Sequence, residues 1–183
     1  MILSGHAIRR AIKRGKIVIT PLDPEQIDQA GITLHLHPRV LVRVGSAPLD
    51  VRVDDAEAFE PVRPYHGEIH LYPGSFYLGS TIERIHAPRH VVRVDGKSSL
   101  GRKGLEVHRT AGHVEPGFDG QITLEMAVLE ELIIVPGWPI CQAVFHEVTG
   151  KVELYGERGH YRDASTTDGP QTSRSHLHKP RHV

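Results

Sequence analysis

The stretch Gln121-Ile122-Thr123-Leu124-Glu125-Met126-Ala127-Val128 carries an apolar side chain at every second position. Positions 122, 124, 126 and 128 form the apolar set, and a period of two predicts a β-strand with one buried face. Gln121, Thr123 and Glu125 then share the opposite face. The pattern therefore predicts that Glu125 points away from the apolar row of its own strand.

Shorter runs with strand character lie on both sides of this stretch. They cover residues 32–36, 40–44, 76–78, 91–94, 105–107, 132–135, 140–145 and 152–154. Glycine or proline separates nearly all of them, and the chain of 183 residues contains 18 Gly and 13 Pro. Many short strands with this punctuation predict a mainly antiparallel β-sandwich or β-barrel.

The beginning of the chain has a helical pattern instead. Ser4 is a candidate N-cap, apolar residues recur at positions 7, 8, 11 and 12, and Gly15 is a candidate end of the helix. A second short helical turn is predicted after Pro24. The expected fold class is therefore mainly β with a short N-terminal helix.

Length and composition predict one domain over residues 1–155, followed by a polar tail over 156–183 that orders, if at all, over a ligand or a neighbouring subunit. The 22 basic and 22 acidic side chains cancel, so we expect neither a nucleic-acid nor a membrane partner. The sequence shows no targeting leader and no apolar run of about 18 residues, which predicts a cytoplasmic protein. The single cysteine, Cys141, lies in an apolar stretch and is predicted to be a buried, inert thiol.

The chemistry is concentrated between residues 94 and 125. The run Lys97-Ser98-Ser99-Leu100-Gly101-Arg102 places hydroxyls and cations beside glycine, a combination that suits phosphate oxygens. Glu125, flanked by apolar strand residues, is a candidate general base kept partly out of water. A strand carboxylate is also often an ordinary solvent-facing residue. Together the two features predict a nucleotide pocket that combines binding and chemistry.

Four motifs in this segment resemble those of the deoxycytidine triphosphate (dCTP) deaminase family, which shares an all-β superfamily with the trimeric dUTPases. They follow one another in the family's order and spacing: Lys97-Ser98-Ser99-Leu100-Gly101-Arg102-Lys103-Gly104, His108-Arg109-Thr110-Ala111, Glu115-Pro116-Gly117-Phe118 and Thr123-Leu124-Glu125. The resemblance implies a dUTPase-like distorted jelly-roll or β-barrel. It also implies a homotrimer with sites between subunits, in which Ser98 and Arg102 face the neighbour's Glu125.

The activity implied by the resemblance is hydrolytic deamination of a deoxycytidine nucleotide, most simply dCTP to dUTP and ammonia. Glu125 would act as general base and then acid, while the backbone of Ala111 and the Ser98 side chain hold the water and the amine. Mg²⁺ would accompany the triphosphate. The implied nucleotide-binding residues are Lys97, Ser98, Ser99, Arg102, Thr110, Ala111, His113, Glu115, Gln142 and Tyr161.

Zinc is not expected in this site. Zinc-dependent cytosine deaminases need a Pro-Cys-x-x-Cys motif, and a chain with one cysteine cannot supply it. The pairs His35/His37 and His176/His178 have a spacing that would align two imidazoles on a strand. We interpret the first pair as strand surface and the second as part of the tail.

Several residues depart from the family pattern. Thr33 and His35 stand where members have an aspartate and an arginine that support the core, and Lys97 replaces an arginine. In the tail, His160 and Ala164 replace residues that close over the phosphates, and Arg158 or Arg162 is a candidate substitute. These changes leave open which cytosine nucleotide is the substrate.

Two alternatives to simple deamination remain open at this stage. Gly112 resembles the bifunctional deaminases that also remove pyrophosphate, but Glu115 is one methylene longer than the aspartate expected there. A dUTPase-like pyrophosphatase or a bifunctional enzyme is therefore one alternative, and a non-catalytic nucleotide-binding relative is the other. His108 and His113, near the expected pocket, either make binding depend on pH or hydrogen-bond the backbone.

Overall fold

The computed structural model describes residues 1–159, 161 and 168–173. Within these residues every strand pairing is antiparallel, and the strands form three sheets. The mainly β prediction is confirmed. The strands are β1 (Val18–Thr20), β2 (Ile32–His35), β3 (Leu41–Arg43), β4 (Phe59–Pro61), β5 (Ile69–Leu71), β6 (Tyr77–His86), β7 (His90–Gly96), β8 (Leu105–Glu106), β9 (His113–Val114), β10 (Asp119–Val128), β11 (Leu132–Ile134) and β12 (Pro139–Glu147). The helices are α1 (Gly5–Lys13), α2 (Ser98–Gly101) and α3 (Tyr155–Arg158).

The N-terminal helix forms where its sequence predicts it. The Ser4 hydroxyl accepts the main-chain N–H of Ala7 at 3.3 Å and so caps α1. Gly15 adopts a φ of +67° just beyond the helix, a conformation that glycine takes without steric cost. The predicted turn after Pro24 is a short 3₁₀ helix, Pro24–Gln26. None of the helices in the described part of the chain has the length and apolar character needed to cross a bilayer.

The largest sheet carries the predicted strand β10 near its middle. Its strand order is β4-β3-β6-β10-β8, and β1 pairs with β6 as well. The even positions of β10 are buried, with Leu124 and Met126 fully inaccessible, whereas Thr123 and Glu125 are half-buried on the other face. The predicted orientation of Glu125 is therefore confirmed.

The second sheet closes the core from the opposite side. It has the order β2-β12-β7-β9, and a two-stranded sheet of β5 and β11 lies beside the two larger ones. Ile32 and Leu34 from β2 and Phe145 from β12 are fully buried in the same apolar cluster as Leu124. Cys141, also on β12, is fully buried, and burial raises the pKa of its thiol. The prediction of a buried thiol is confirmed.

An irregularity in the β6–β10 ladder lies just before the polar face of β10 reaches Glu125. The register shifts between Gln121 and Thr123. The Thr81 hydroxyl accepts the N–H of Ile122 at 3.0 Å and donates to the carbonyl of Glu83 at 2.7 Å. The N–H of Ile122 and the carbonyl of Glu83 are therefore both hydrogen-bonded despite the register shift. Irregularities of this kind bend a strand and re-aim the side chains that follow.

The structure corrects the predicted strands in two places. Residues 152–154 form no strand, because Tyr155 donates its N–H to the carbonyl of Pro116 and this segment turns into α3 instead. The short run at 76–78 is the beginning of the ten-residue strand β6. The first five residues of β6 are all buried, since both of its faces are covered, and a strand buried on both sides shows no alternation.

Candidate active site

A cavity of about 440 Å³ lies over the polar face of β10, and we call it the β10 cavity. The outer face of β6 and β10, the loop through Ala111 and Glu115, and residues from the C-terminal part of the chain enclose it. Its described lining residues are Asp55, Phe59, Phe76, Leu78, Ala111, His113, Val114, Glu115, Phe118, Gln121, Ile122, Thr123, Glu125, Tyr155, Tyr161, Gln171 and Ser173.

Glu125 lies in this cavity between polar and apolar surroundings. One of its carboxylate oxygens, Oε2, accepts the main-chain N–H of Arg109 at 3.3 Å and approaches the N–H of Thr110 at 3.5 Å. On its other side Leu78 is the residue directly opposite in the β6–β10 ladder. The loop 108–111 thus orients the carboxylate through main-chain atoms, which do not depend on side-chain rotamers.

The apolar floor beside Glu125 is a small cluster separate from the main core. Leu41, Phe59 and Leu78 are its buried members, and Ala58 and Phe76 pack against it. Phe59 and Phe76 meet edge to face with their ring centroids 6.1 Å apart. Such a surface excludes water beside the carboxylate and offers a flat apolar contact to a planar ring.

The turn Glu115–Phe118 forms another wall and depends on glycine. Gly117 has a φ of +84°, and a Cβ at this position would lie 2.9 Å from the Cβ of Leu154. The turn can therefore pack closely against the segment that leads into α3, where Phe118 meets Tyr155 edge to face. Tyr155 in turn accepts the main-chain N–H of Tyr161 at its hydroxyl, at 3.1 Å. This chain of contacts brings Tyr161 to the cavity.

Residues 168–173 lie along the polar face of β10. The N–H of Gly169 donates to Gln121 Oε1 at 2.7 Å, and the N–H of Gln171 donates to Thr123 Oγ1 at 3.1 Å. His37 Nε2 lies 2.9 Å from a carboxylate oxygen of Asp168. His160, Arg162 and Ala164, which the sequence analysis singled out, lie outside the described residues, as do residues 174–183 and the side chain of Arg158.

Asp55 is a third carboxylate on the cavity wall, beside Glu115 and Glu125, and no sequence pattern predicted it. Its Oδ1 is buried and has no hydrogen-bond partner among the residues that the structure describes. Burial raises the pKa of the carboxyl, although a hydrogen bond from the N–H of Ser173 acts in the opposite direction. It lies 70 residues before Glu125 in the sequence, in a stretch without a recognisable motif. Only the tertiary fold brings it here, so no local signal marked it.

A separate cavity of about 370 Å³ lies beside α2, and we call it the α2 cavity. Lys97, Ser98, Ser99 and Gln142 line it together with two glycines. Gln142 comes from β12, which pairs with β7, the strand that leads into α2. Arg102 is exposed at the end of α2 and lines neither cavity. Thr110 lines neither cavity either, although its N–H approaches Glu125. In the single chain, most of the predicted site residues are therefore divided between two cavities, and Arg102 and Thr110 lie outside both.

The two cavities differ in charge. The β10 cavity carries three carboxylates, those of Asp55, Glu115 and Glu125, and its described lining includes neither Lys nor Arg. Among the described lining residues only His113 is basic. Its Nε2 lies 3.5 Å from Oε1 of Glu115, and both side chains are more than half exposed. The α2 cavity carries Lys97 and no carboxylate among its described lining. An anionic group is therefore stabilised in the α2 cavity and repelled from the β10 cavity.

The residues that depart from the family pattern form their own contacts. Glu83 is a buried residue with 2% of its surface exposed. Its Oε1 lies 2.7 Å from Nδ1 of His35, and its Oε2 accepts the main-chain N–H of His35 at 2.9 Å. Gln26 donates to the same carboxylate at 2.7 Å. Thr33 accepts a hydrogen bond from Lys97. The substituted positions thus retain polar partners, and the buried carboxylate is satisfied.

The two histidines near the site differ in their surroundings. His113 faces the β10 cavity beside Glu115, as described above. His108 is half-buried, and its Nδ1 has no hydrogen-bond partner. Its ring lies against Gly112, where a Cβ would fall 2.9 Å from both the His108 ring and the carbonyl oxygen of Val94. Position 112 therefore accepts only glycine without rearrangement of the loop that carries Ala111.

Comparison with known proteins identifies relatives over most of the chain. The family model described as dCTP deaminase-like matches residues 2–148. The protein named "dCTP deaminase, dUMP-forming" from Dictyoglomus thermophilum is 38% identical to this chain, and the match covers 97% of this chain and 96% of that protein. The protein of the same name from Dictyoglomus turgidum is 41% identical, and the match covers 84% of each chain. The protein named "dCTP deaminase" from Halorubrum lacusprofundi is 36% identical, covering 95% of this chain and 91% of its own.

A solved structure confirms the fold. The crystal structure of 2'-deoxycytidine 5'-triphosphate deaminase from Agrobacterium tumefaciens superposes with a TM-score of 0.60 at 18% identity, covering 83% of this chain. The chain spans about half the length of that protein, 48%. This similarity confirms the mainly β architecture expected from the resemblance. The match of the family model over residues 2–148 shows the family. The chain belongs to the dCTP deaminase-like family.

Proposed function

We propose that this chain is a hydrolase that deaminates dCTP, with Glu125 as the group that moves protons. The observation that carries the proposal is the position of Glu125, half-buried at the wall of a 440 Å³ cavity between an apolar floor and two main-chain donors. A carboxylate with no role would more often face open solvent. The sequence relatives named dCTP deaminase support the choice of substrate.

The chemistry requires one carboxylate and one water. Glu125 accepts a proton as the water oxygen bonds to C4 of the cytosine ring, and returns it to the exocyclic nitrogen as the C4–N4 bond breaks. Ring N3 takes up the second proton of the water, which leaves a uracil nucleotide and ammonia. Positioned proton transfer of this kind contributes about 10²–10⁴ in rate. The backbone of Ala111, on the same wall as Glu125, is the proposed holder of the water.

The charge of the cavities indicates where the two ends of the nucleotide bind. The uncharged base and sugar suit the β10 cavity, whereas the triphosphate suits the hydroxyls of Ser98 and Ser99 beside Lys97. Because these groups line separate cavities of one chain, we propose that the complete site lies between two subunits of a homotrimer. Ser98 and Arg102 of one subunit would then face Glu125 of the next, and Gln142 would contribute from the α2 cavity.

Magnesium fits this arrangement as a partner of the phosphates. Among the described residues no group of three or more His, Cys, Asp or Glu side chains could hold a metal ion. Mg²⁺ keeps several waters and commonly binds through phosphate oxygens, so it needs no protein cage. When bound it would neutralise charge on the triphosphate, next to Lys97.

The test of the proposal is incubation of the purified protein with dCTP and Mg²⁺. We expect release of one ammonia for each dCTP consumed, measured in a coupled assay, with the uracil nucleotide identified by chromatography. Deoxycytidine, which lacks the phosphates, serves as the comparison substrate and should react far more slowly. Tight binding of dCTP without ammonia release would instead identify a non-catalytic binding protein.

Removal of pyrophosphate is a second candidate activity, with dUMP as the product. Two observations favour it: the Dictyoglomus relatives are named dUMP-forming, and position 112 accepts only glycine, as in the bifunctional pattern. Glu115 lies on the wall of the β10 cavity, where it is the proposed group that aims a water at the phosphate. Pyrophosphate released with ammonia would support this activity, and a product that remains dUTP would exclude it.

A further inference from the structure

Lys97 takes part in a hydrogen-bonded relay that leads away from the α2 cavity. Its Nζ donates to Thr33 Oγ1 at 2.8 Å, and that hydroxyl donates to Asp28 Oδ2 at 2.9 Å. The direction of both bonds is fixed, because an ammonium group only donates and an ionised carboxylate only accepts. The Thr33 hydroxyl therefore has one arrangement in which it satisfies both neighbours.

The relay rests on fixed backbone at both ends. Thr33 lies on β2 opposite Gln142 of β12, in regular antiparallel register. Asp28 begins a tight turn in which its N–H donates to the carbonyl of Gly31 at 3.0 Å. The N-terminus of α1 packs closely against this turn. A Cβ at Gly5 would fall 2.1 Å from the carbonyl oxygen of Asp28, so only glycine allows this contact. Neither acceptor can move without disturbing a sheet or a helix contact.

Lys97 is also the residue that begins the phosphate-binding segment of the proposed site. It occupies the N-cap position of α2, directly before Ser98 and Ser99, and is half-buried beside them in the α2 cavity. A free lysine side chain has many rotamers, and ordering it on binding costs affinity. One bond to Thr33 leaves ammonium donor capacity for an anion.

We propose that Thr33 and Asp28 are positioning residues that hold the Lys97 ammonium ready for the phosphates of the nucleotide. The inference rests on the proposed function for the identity of the nucleotide. It assigns a role to Thr33, the residue that replaces a carboxylate in the family pattern. The hydroxyl binds Lys97 without a full counter-charge, so the lysine stays available to an incoming anion.

The test compares Thr33→Val, which keeps the shape and removes the hydroxyl, with Thr33→Ser, which keeps the hydroxyl. We expect Thr33→Val to raise KM for dCTP and Kd for inorganic tripolyphosphate by about threefold to tenfold, the cost of ordering one side chain. The kcat should stay at the wild-type value, because Glu125 is untouched. Thr33→Ser should restore the wild-type KM and Kd. A merely structural role would lower stability without this separation of KM from kcat.

The second variant is Asp28→Ala, which removes the carboxylate at the far end of the relay. If Thr33→Val fails to fold, Asp28→Ala tests the relay through the same measurements of KM and Kd. Folded variants that bind tripolyphosphate as tightly as the wild type, or more tightly, would overturn the inference, as would a wild type that binds no tripolyphosphate. A wild type that binds tripolyphosphate but releases no ammonia from dCTP defeats the proposed function alone. The Thr33 comparison with tripolyphosphate still decides the relay in that case.

Discussion

As the proposed general base, Glu125 has to meet two requirements that usually conflict. A general base needs polar partners that orient it, and it must also meet an apolar ring away from bulk water. The N–H groups of Arg109 and Thr110 supply the first condition, and the cluster around Leu78 supplies the second. Because the donors are backbone atoms of one loop, the carboxylate is held without a second charged side chain.

Replacement of Glu125 by Gln tests this role directly. We expect kcat for ammonia release to fall by about 10²–10⁴, because the amide accepts no proton at neutral pH. The Kd for dCTP, measured by calorimetry, should change by less than about threefold, because the amide keeps the size of the side chain. Glu130→Gln, a change at an exposed turn, is the matched control and should retain full activity. Wild-type turnover in Glu125→Gln would refute the mechanism.

His90 at the start of β7 is a buried titratable group outside the site. It is 5% exposed, its ring packs edge to face against Phe145, and its Nδ1 has no hydrogen-bond partner. Burial lowers the pKa of His90 below its ordinary value of 6.5, although Glu147 opposes the shift and Lys16 and Arg89 add to it. The folded state therefore binds fewer protons at His90 than the unfolded state below that pH.

Stability should consequently fall as the pH is lowered through about 6.5, and the fall should be smaller in His90→Phe, which removes the titrating ring. For one proton, the slope of the unfolding free energy against pH should differ between wild type and His90→Phe by at most about 1.4 kcal/mol per pH unit. Urea unfolding between pH 5 and 8 measures it. His6→Gln, at an exposed histidine of α1, controls for the loss of one histidine. Parallel pH profiles for wild type and His90→Phe would contradict the prediction.

At the scale of elements, β10 joins the core to the site. Its apolar face anchors the strand in the main core, so the polar face is held at a fixed position. That face presents Gln121, Thr123 and Glu125 in a row, and the first two accept N–H groups of residues 169 and 171. The same row that carries the base thus also holds the segment lying over the cavity.

Deletion of residues 168–183 should remove this cover and leave the core intact. We expect KM for dCTP to rise about tenfold, or about 1.4 kcal/mol, because the nucleotide loses its contacts with Gln171 and Ser173 on the cavity wall. The melting temperature should change little, because none of the described residues 168–173 belongs to the main apolar cluster. Deletion of residues 174–183 alone is the control and should have the smaller effect. Equal KM values for the two deletions would show that segment 168–173 does not contribute.

At the scale of the whole molecule, the separation of charge is the main feature. The carboxylates of Asp55, Glu115 and Glu125 lie in the β10 cavity. The hydroxyls of Ser98 and Ser99 lie beside Lys97 in the α2 cavity. A nucleotide carries a neutral aromatic end and a strongly anionic end, so a single chain offers each end a suitable surface in a different place. This separation supports the proposal that two chains share one complete site.

Mixed oligomers test this arrangement. Glu125→Gln and Arg102→Ala each disable a different half of the proposed shared site. If the two variants are co-expressed in equal amounts as a cyclic trimer, about a quarter of the sites should combine two intact halves and release ammonia. Each variant expressed alone should be nearly inactive. No recovery in isolated mixed trimers would place the complete site within one chain.

Sequence periodicity was sufficient for the parts of the fold with one buried face. The helix after Ser4 and the strand β10 agree with their patterns because one side of each packs against the core and the other does not. The pattern fails where this condition fails. Strand β6 is covered on both faces at its start. Residues 152–154 form no strand, and Leu154 packs against the Gly117 turn instead.

The sequence by itself determined the fold class, the motifs and the face of the strand that carries Glu125, because these depend on neighbours within about ten residues. The tertiary structure alone decided that Asp55 borders the same cavity, that Thr33 binds Lys97, and that the hydroxyls of α2 line a different cavity from the carboxylate. Those relations join residues that are 26 to 70 positions apart in the chain, and only the pairing of distant strands fixes the distances between them.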